Sequence, residues 1–382
     1  LKIAILGTKY SPPFFRGGEE HVIFNLVKYL SKRKYSTEVF APKFRKWRKL
    51  DSTSTATNVC RIPVSNIRFF YHFQFARSLE RCLKADETDI VLNTHTALGH
   101  NLSFHPHIIV VATTNLGEAD SASRSGLLGL LEGLIRRKFA YRIEKRAFQE
   151  CDHIVCVSDH IMDDLSVNYG IQQEKMSVIG NGVDCTYFSP SVPRERTPDE
   201  QFHILYVGRL VNRKNVELLV RAAGHLKSNG GRISVRIAGD GPERSALERL
   251  SKDSGLENMI QFHGICSGNE LLNLYRSSDL FVLPSTYEGM PLVLLEAMSC
   301  GLPSIVNAFA GAEKVVTEGL NGYILREGTP EELARMILRI HDDSELLISM
   351  GGNARRLVLE KYSWDRIVDQ YCTLFSSLCD PR

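Results

Sequence analysis

No run of apolar residues in this sequence approaches the ~18 that a membrane-spanning helix needs, so none is expected. Charge of one sign is equally scarce: 47 Lys and Arg against 44 Asp and Glu leave a net +3, too little to imply a nucleic-acid partner. The nine cysteines (Cys60, Cys82, Cys151, Cys156, Cys185, Cys266, Cys300, Cys372 and Cys379) are odd in number, scattered and free of C-x-x-C pairs. That pattern offers neither a disulfide framework nor a metal-binding pair, and it reads as reduced thiols in a cytoplasmic chain. Gly239-Asp240-Gly241-Pro242 lacks the third glycine of G-x-G-x-x-G and lies far from the chain start, so NAD or FAD binding is rejected. The opening Leu1 to Gly7 is too short and uncharged at its start for a signal peptide, and there is no low-complexity tract.

What is present is the composition of a soluble globular protein, 43% hydrophobic and 24% charged, in a chain of 382 residues, for which two domains are the natural expectation. The chain is organised around Asp279 to Val306. Leu280 to Leu283 is a short apolar run suited to a buried parallel strand, and Pro284 stops it. A helix follows, with Pro291 expected at its first position, Gly301 past its end and Pro303 beyond; Leu302 to Val306 reads as the next strand.

In a doubly wound sheet ligands bind at the loop after a strand's carboxyl end, and the helix it feeds presents free N–H groups that suit phosphate. Glu288 and Glu296 sit in this loop and helix. Glu296 lies roughly 7 Å along the helix from Pro291. A diphosphate at Leu292 and Val293 would leave Glu296 beside a flanking sugar, where a carboxylate accepts hydrogen bonds from ribose hydroxyls. Glu288, ahead of the helix, would face the other end of the ligand.

Along the chain, Lys2 to Leu6 is a first strand, Tyr10 to Gly18 a loop holding Gly17 and Gly18, and Glu19 to Leu30 a helix by its apolar spacing. Thr37 to Ala41 is a strand. The next residues, Lys43, Arg45, Lys46, Arg48 and Lys49 interleaved with Phe44 and Trp47, form a solvated loop or face an anionic surface. Ser65 to Ala85 is mostly helical, Asp89 to Leu92 is a strand running toward His95, and Ile108 to Ala112 leads to Asn115. Gly126 to Ile135, apolar and followed by Arg136, Arg137 and Lys138, is a buried helix or an in-plane membrane helix with basic anchors. Asp152 to Ser158 and Lys175 to Ile179 are further strands, and proline-rich Ser191 to Gln201 reads as a linker. The second half repeats the alternation, with strands at Phe202 to Val207, Ser234 to Ala238 and Ile260 to Gly264, and helices from Pro330 onward.

The segment E-G-M-P-L-V-L-L-E-A-M-S-C-G-L-P (Glu288 to Pro303) resembles the E-x7-E motif of glycosyltransferase family 4, retaining enzymes of the GT-B fold. G-R-L-x-x-x-K (Gly208 to Lys214) and N-G-V-D-x-x-x-F-x-P (Asn181 to Pro190) resemble the same family. The resemblance implies an α/β chain of two Rossmann-like doubly wound domains facing across a cleft. It places an acceptor-binding domain at 1–190, joined by a returning C-terminal helix at 362–382, and a nucleotide-sugar domain at 200–361. It implies a hexosyl-type transferase in which Glu288, Arg209 and Lys214 carry the chemistry. Donor contacts would come from Gly17, Gly18, Arg209, Lys214, Ile265, Glu288, Gly289, Met290, Pro291, Leu292, Val293 and Glu296.

His95 and Asn115 fall on the acceptor and sugar side. Many relatives carry a histidine where Asn115 stands, and an amide cannot transfer a proton. The absence of any D-x-D triplet removes the usual sign of a metal-chelated diphosphate, so no cofactor and no metal are expected. The expected partners are a UDP- or GDP-sugar, a glycan or lipid-linked acceptor, and an anionic membrane face touched by the two basic stretches, which would make the chain peripheral on a cytoplasmic membrane surface. A catalytically silent nucleotide-sugar-binding scaffold and a GT-B nucleotide-sugar 2-epimerase are the alternatives.

Overall fold

The computed structural model describes residues 1–7, 18–43, 58–64, 71–83, 88–94, 106–114, 141–191, 201–227, 232–308 and 311–379. Gly17, His95, Asn115, the stretch 44–50 and the stretch 115–140 lie outside them, and with them most of both basic stretches. The chain divides into two compact units, Leu1–Gly182 with Trp364–Arg382, and Val183–Ser363.

The first unit is built on a wholly parallel seven-stranded sheet, β1 (Lys2–Leu6), β2 (Ser36–Lys43), β3 (Asn58–Pro63), β4 (Ile90–Asn93), β5 (His107–Val111), β6 (His153–Cys156) and β7 (Met176–Val178), in the order β3-β2-β1-β4-β5-β6-β7. Strands β4, β5 and β6 are buried at every residue, as parallel strands covered on both faces must be. The described helices are α1 (Gly18–Lys32), α2 (Tyr71–Cys82), α3 (Tyr141–Glu150) and α4 (Asp159–Asp164). Strand β3 carries no clean apolar run, because Asn58 and Arg61 interrupt it, and the sequence pattern alone does not reveal it.

The C-terminal helix, Trp364–Cys379, belongs to this unit. Its Trp364 ring stacks on Tyr29 of α1 at 6.2 Å, and Phe375 meets Tyr35 edge-on at 6.0 Å. Arg33 ties the same two helices, donating to Asp369 Oδ1 (2.7 Å) and to the Asp365 carbonyl (2.8 Å). Gly182 lies under the Trp364 indole, where a Cβ would come within 2.6 Å of the ring. A glycine is therefore required at this point of the N-G-V-D segment.

The second unit is a six-stranded parallel sheet: β8 (Phe202–Val207), β9 (Ile233–Ala238), β10 (Ile260–Gly264), β11 (Leu280–Leu283), β12 (Ser304–Asn307) and β13 (Gly322–Leu325), ordered β10-β9-β8-β11-β12-β13. Its helices are α5 (Val216–Leu226), α6 (Arg244–Asp253), α7 (Gly268–Arg276), α8 (Leu292–Ser299), α9 (Ala312–Val315), α10 (Pro330–His341) and α11 (Ser344–Leu357). One apolar core runs from Val183 to Val358 through all six strands. The unit thus begins at Val183, upstream of the proline-rich segment, and Val183 and Ser363 form a bridge where the chain enters and leaves it.

Helix α8 departs from the sequence expectation by one residue at its start. Pro291 is extended (φ −74°, ψ 118°) and precedes the helix, which opens at Leu292. Its end is as expected: Gly301 is left-handed (φ 82°), its N–H donates to Met298 O (3.0 Å), and the Leu302 N–H donates to Ala297 O (3.1 Å). These two bonds are the Schellman arrangement, which satisfies the last carbonyls and turns the chain into β12.

Candidate active site

Strand order reverses in the second unit between β8 and β11, which pair in parallel through Leu280 with Ile204 and Phe281 with Leu205. The loops leaving their carboxyl ends therefore emerge side by side, at the switch point where doubly wound sheets bind ligands. One loop is Gly208 to Asn215, the other Pro284 to Pro291. Thr286 clamps them together, its N–H and Oγ1 both reaching Arg213 O (2.9 and 3.2 Å).

Next to this clamp Lys214 Nζ donates to Glu288 Oε1, forming an ion pair whose side chains are only 12% and 9% exposed. The structure thus joins two of the three residues expected to carry the chemistry, although they come from different loops. Arg209 differs. It is exposed, and among the described residues it makes no ion pair. Its backbone is fixed by Tyr206, whose buried hydroxyl donates to Arg209 O (3.1 Å). Burial, and after it the Glu288 charge, hold the Tyr206 phenol well above its ordinary range, so it stays a donor.

Gly239 and Gly241 explain a motif the sequence reading could only exclude from dinucleotide binding. A Cβ on Gly239 would strike the Gly208 carbonyl, and one on Gly241 the Leu210 carbonyl. The backbone runs along the loop after β8, exchanging Gly208 N–H to Ala238 O, Leu210 N–H to Asp240 O and Glu243 N–H to Leu210 O, each 3.0 Å. These glycines hold the arginine-bearing loop against its neighbour.

At the start of α8 no side chain caps the helix. The Leu292 and Val293 N–H groups have no hydrogen-bond partner among the described residues, while Leu294 N–H is taken by Pro291 O (3.2 Å). Gly289 and Pro291 are buried and Met290 partly so, walling the approach. One turn on, Glu296 accepts a hydrogen bond at Oε2 from Tyr275 of α7 (2.9 Å). Burial pushes its carboxyl up to about 7, with the Tyr275 hydrogen bond pulling the other way. Tyr275 was not singled out from sequence; its one signal is a tyrosine on the apolar stripe of a helix, where a buried hydroxyl needs a partner. Ile265, just past β10, is 80% exposed, which leaves its backbone reachable.

In the first unit, exposed Gly18 opens α1, and Glu19 and Glu20 occupy the first turn. Glu19 Oε1 accepts from Thr94 Oγ1 (3.1 Å), whose hydroxyl also lies 2.8 Å from Leu6 O. Two carboxylates already complement the positive end of this helix. Thr114, the last described residue before Asn115, is buried and donates to Asp164 Oδ2 (2.6 Å).

Comparison with known proteins gives the same reading from outside. Residues 190–357 match the family model Glycosyl transferases group 1, and residues 16–187 match Glycosyltransferase Family 4. An uncharacterized glycosyltransferase of Methanocaldococcus jannaschii is 26% identical over 398 residues, covering 99% of both chains. Among solved structures, sucrose-phosphate synthase from Thermosynechococcus elongatus superposes with a TM-score of 0.83 at 20% identity, over 99% of this chain and 98% of that one. HepE of Anabaena, in complex with UDP and glucose, does so with a TM-score of 0.76 at 20% identity, over 99% and 100%. The chain belongs to the glycosyltransferases of the GT-B fold, with a family 4 domain in its first half and a group 1 domain in its second.

Proposed function

We propose that this glycosyltransferase moves a hexosyl unit from a UDP- or GDP-sugar to a hydroxyl of a glycan or lipid-linked acceptor, with retention at the anomeric carbon and without a divalent metal. The observation that carries the reading is the switch-point constellation: exposed Arg209, the Lys214–Glu288 pair and two free N–H groups at Leu292 and Val293, all around one helix start. The Anabaena neighbour's complex with UDP and glucose supports a UDP-type donor.

The diphosphate lies at the start of α8, its oxygens facing Arg209, Lys214 and the two N–H groups. An ammonium has three protons; Glu288 takes one and the others remain for phosphate. Glu288 orients that lysine and accepts from a sugar hydroxyl, and Glu296 accepts from the ribose. As the bond from the anomeric carbon to the diphosphate oxygen breaks, negative charge gathers on the leaving oxygen, and these donors stabilise it without reorganising. The acceptor oxygen bonds to the same face of the sugar, and its proton passes to the departing phosphate. Glu19 and Glu20 favour a neutral, hydroxyl-bearing acceptor beside α1 over a phosphate. Exposed Lys43, at the end of β2, is the one described residue of the basic stretches proposed to face an anionic membrane.

The test is turnover with a panel of UDP-, GDP- and ADP-sugars and candidate glycan acceptors, with and without EDTA, and the product's anomeric configuration read by NMR. One donor accepted, full activity in EDTA and a retained configuration are expected. Loss of activity in EDTA that magnesium or manganese restores overturns the metal-free reading, and an inverted product overturns the mechanism.

A further inference from the structure

Glu296 does not stand alone. Its carboxylate is reached by a residue from another helix, and that residue is locked by the segment through which the chain enters the second unit. Tyr275 is fully buried. Its ring is met edge-on by Phe188 at 5.8 Å and at a tilt by Phe281 of β11 at 6.2 Å. Phe188 is itself pinned. Its carbonyl accepts from Ser299 Oγ (2.6 Å) and from Arg355 Nη1 (2.8 Å), and Tyr187 packs edge-on against its ring at 5.0 Å. The next residue along α7, Arg276, grips Ser189 through its carbonyl (2.8 Å) and hydroxyl (3.0 Å). The Tyr275 hydroxyl therefore points at α8, where Glu296 Oε2 is its near acceptor at 2.9 Å and the Val293 carbonyl a more distant one at 3.4 Å. It donates to Glu296 Oε2 and leaves Oε1 for a ligand.

We propose that Tyr275 is a positioning residue for the donor nucleotide, acting through Glu296: it fixes the carboxylate's rotamer and favours its charged form, which accepts from a ribose hydroxyl. The inference rests on the proposed donor site. A carboxylate shut away from water favours its protonated form, and a hydrogen bond given to the charged form opposes that. The titratable groups that interact with Glu296 are Tyr275 from α7, Tyr187 from the entering segment and Cys300 at the cap of its own helix, while Arg276 lies beside Tyr187 and Cys300 and is engaged by Ser189. Arg355 of α11 is engaged by the carbonyls of Cys185, Phe188 and Ser299. None of these but Tyr275 hydrogen-bonds the carboxylate.

The experiment is isothermal titration with UDP and with GDP from pH 5.5 to 8.5 on the intact chain, in four forms: unaltered, Tyr275→Phe, Glu296→Gln and the double variant. Tyr275→Phe keeps the packed ring and removes the hydroxyl, and its fold is checked by circular dichroism and thermal melting. Expected is an affinity lower by about tenfold at pH 7, with the acid limb of the binding profile moved upward by about one pH unit. In the Glu296→Gln background the same change has no further effect on binding and moves no limb. An equal loss in both backgrounds, or an unmoved profile, overturns the positioning role while leaving the donor site standing. Binding unaffected by Glu296→Gln overturns the donor site and this inference with it.

Discussion

Arg209 and Lys214 bring like charges into one loop, but their surroundings separate what substitution does. Exposed Arg209 makes no described ion pair, so Arg209→Ala is expected to leave stability within about 0.5 kcal/mol while weakening UDP binding by about tenfold or more. Lys214→Ala strips the partner from nearly buried Glu288 and is expected to cost about 2–4 kcal/mol, recovered in part when Glu288→Gln is added. Urea denaturation with calorimetry distinguishes them; equal stability losses would contradict the pairing. Glu296 supplies a pH test. Its carboxyl is near 7 when folded and 4.5 in isolation, so the folded chain holds the extra proton between those values and stability falls as pH rises through that window. Relative to the parent, Glu296→Gln should be more stable at pH 8, by about 1–2 kcal/mol after allowing for its partial exposure, and equal at pH 4. The two glutamates, the arginine and the lysine were legible as residues, because their types and spacing are local. Their partners were not: Lys214 finds Glu288 and Tyr275 finds Glu296 only because β8 adjoins β11 and α7 packs on α8.

At the scale of elements, turn chemistry carried most of the information. Gly301 and Pro303 announced the end of α8, and the structure supplies the two bonds that end it. Pro291 was placed inside the helix because proline favours a first position; its extended ψ puts it just outside, and the free N–H groups follow from there. Strand β13 stayed hidden in sequence, since Gly-Tyr-Ile-Leu is short and opens with a residue of low strand propensity. Its glycine is needed, as a Cβ on Gly322 would strike the Ser304 carbonyl. The same logic makes Gly239 a control on the site. Gly239→Ala cannot be accommodated without moving the Gly208 carbonyl, so it should displace the loop that presents Arg209. Expected is a loss of UDP affinity of about tenfold, exceeding that of Gly224→Ala, where nothing lies within 4 Å of the added Cβ. Equal affinity in both variants would show that the loop does not depend on this contact.

At the scale of the whole molecule, the last helix is the feature with the largest consequence. It buries Trp364, Ile367, Val368, Tyr371, Leu374 and Phe375 in a unit whose other strands and helices all precede Gly182. At about 1.5–3 kcal/mol for each such side chain, this burial is comparable to the entire stability of a typical domain, about 5–15 kcal/mol. Ending the chain at Ser363 is therefore expected to abolish cooperative folding of the first unit while UDP binding to the second persists. Hydrogen exchange read unit by unit, with UDP titration, checks this; a first unit still protected after truncation would contradict it.

The sequence by itself determined where most strands and helices lie, β3, β13 and the first residue of α8 excepted, because backbone preference and apolar period are encoded within a few neighbouring residues. It also determined the chemistry on offer: two cations and two carboxylates around one helix start, in a chain with no long apolar run. Only the tertiary structure decided how those charges are shared. Lys214 and Glu288 lie 74 residues apart, Tyr275 and Glu296 21, and whether such groups touch depends on strand order at the switch point and on which helix covers which strand. That is a property of the assembled sheet, where burial then sets the strength of each contact and the protonation of Glu296.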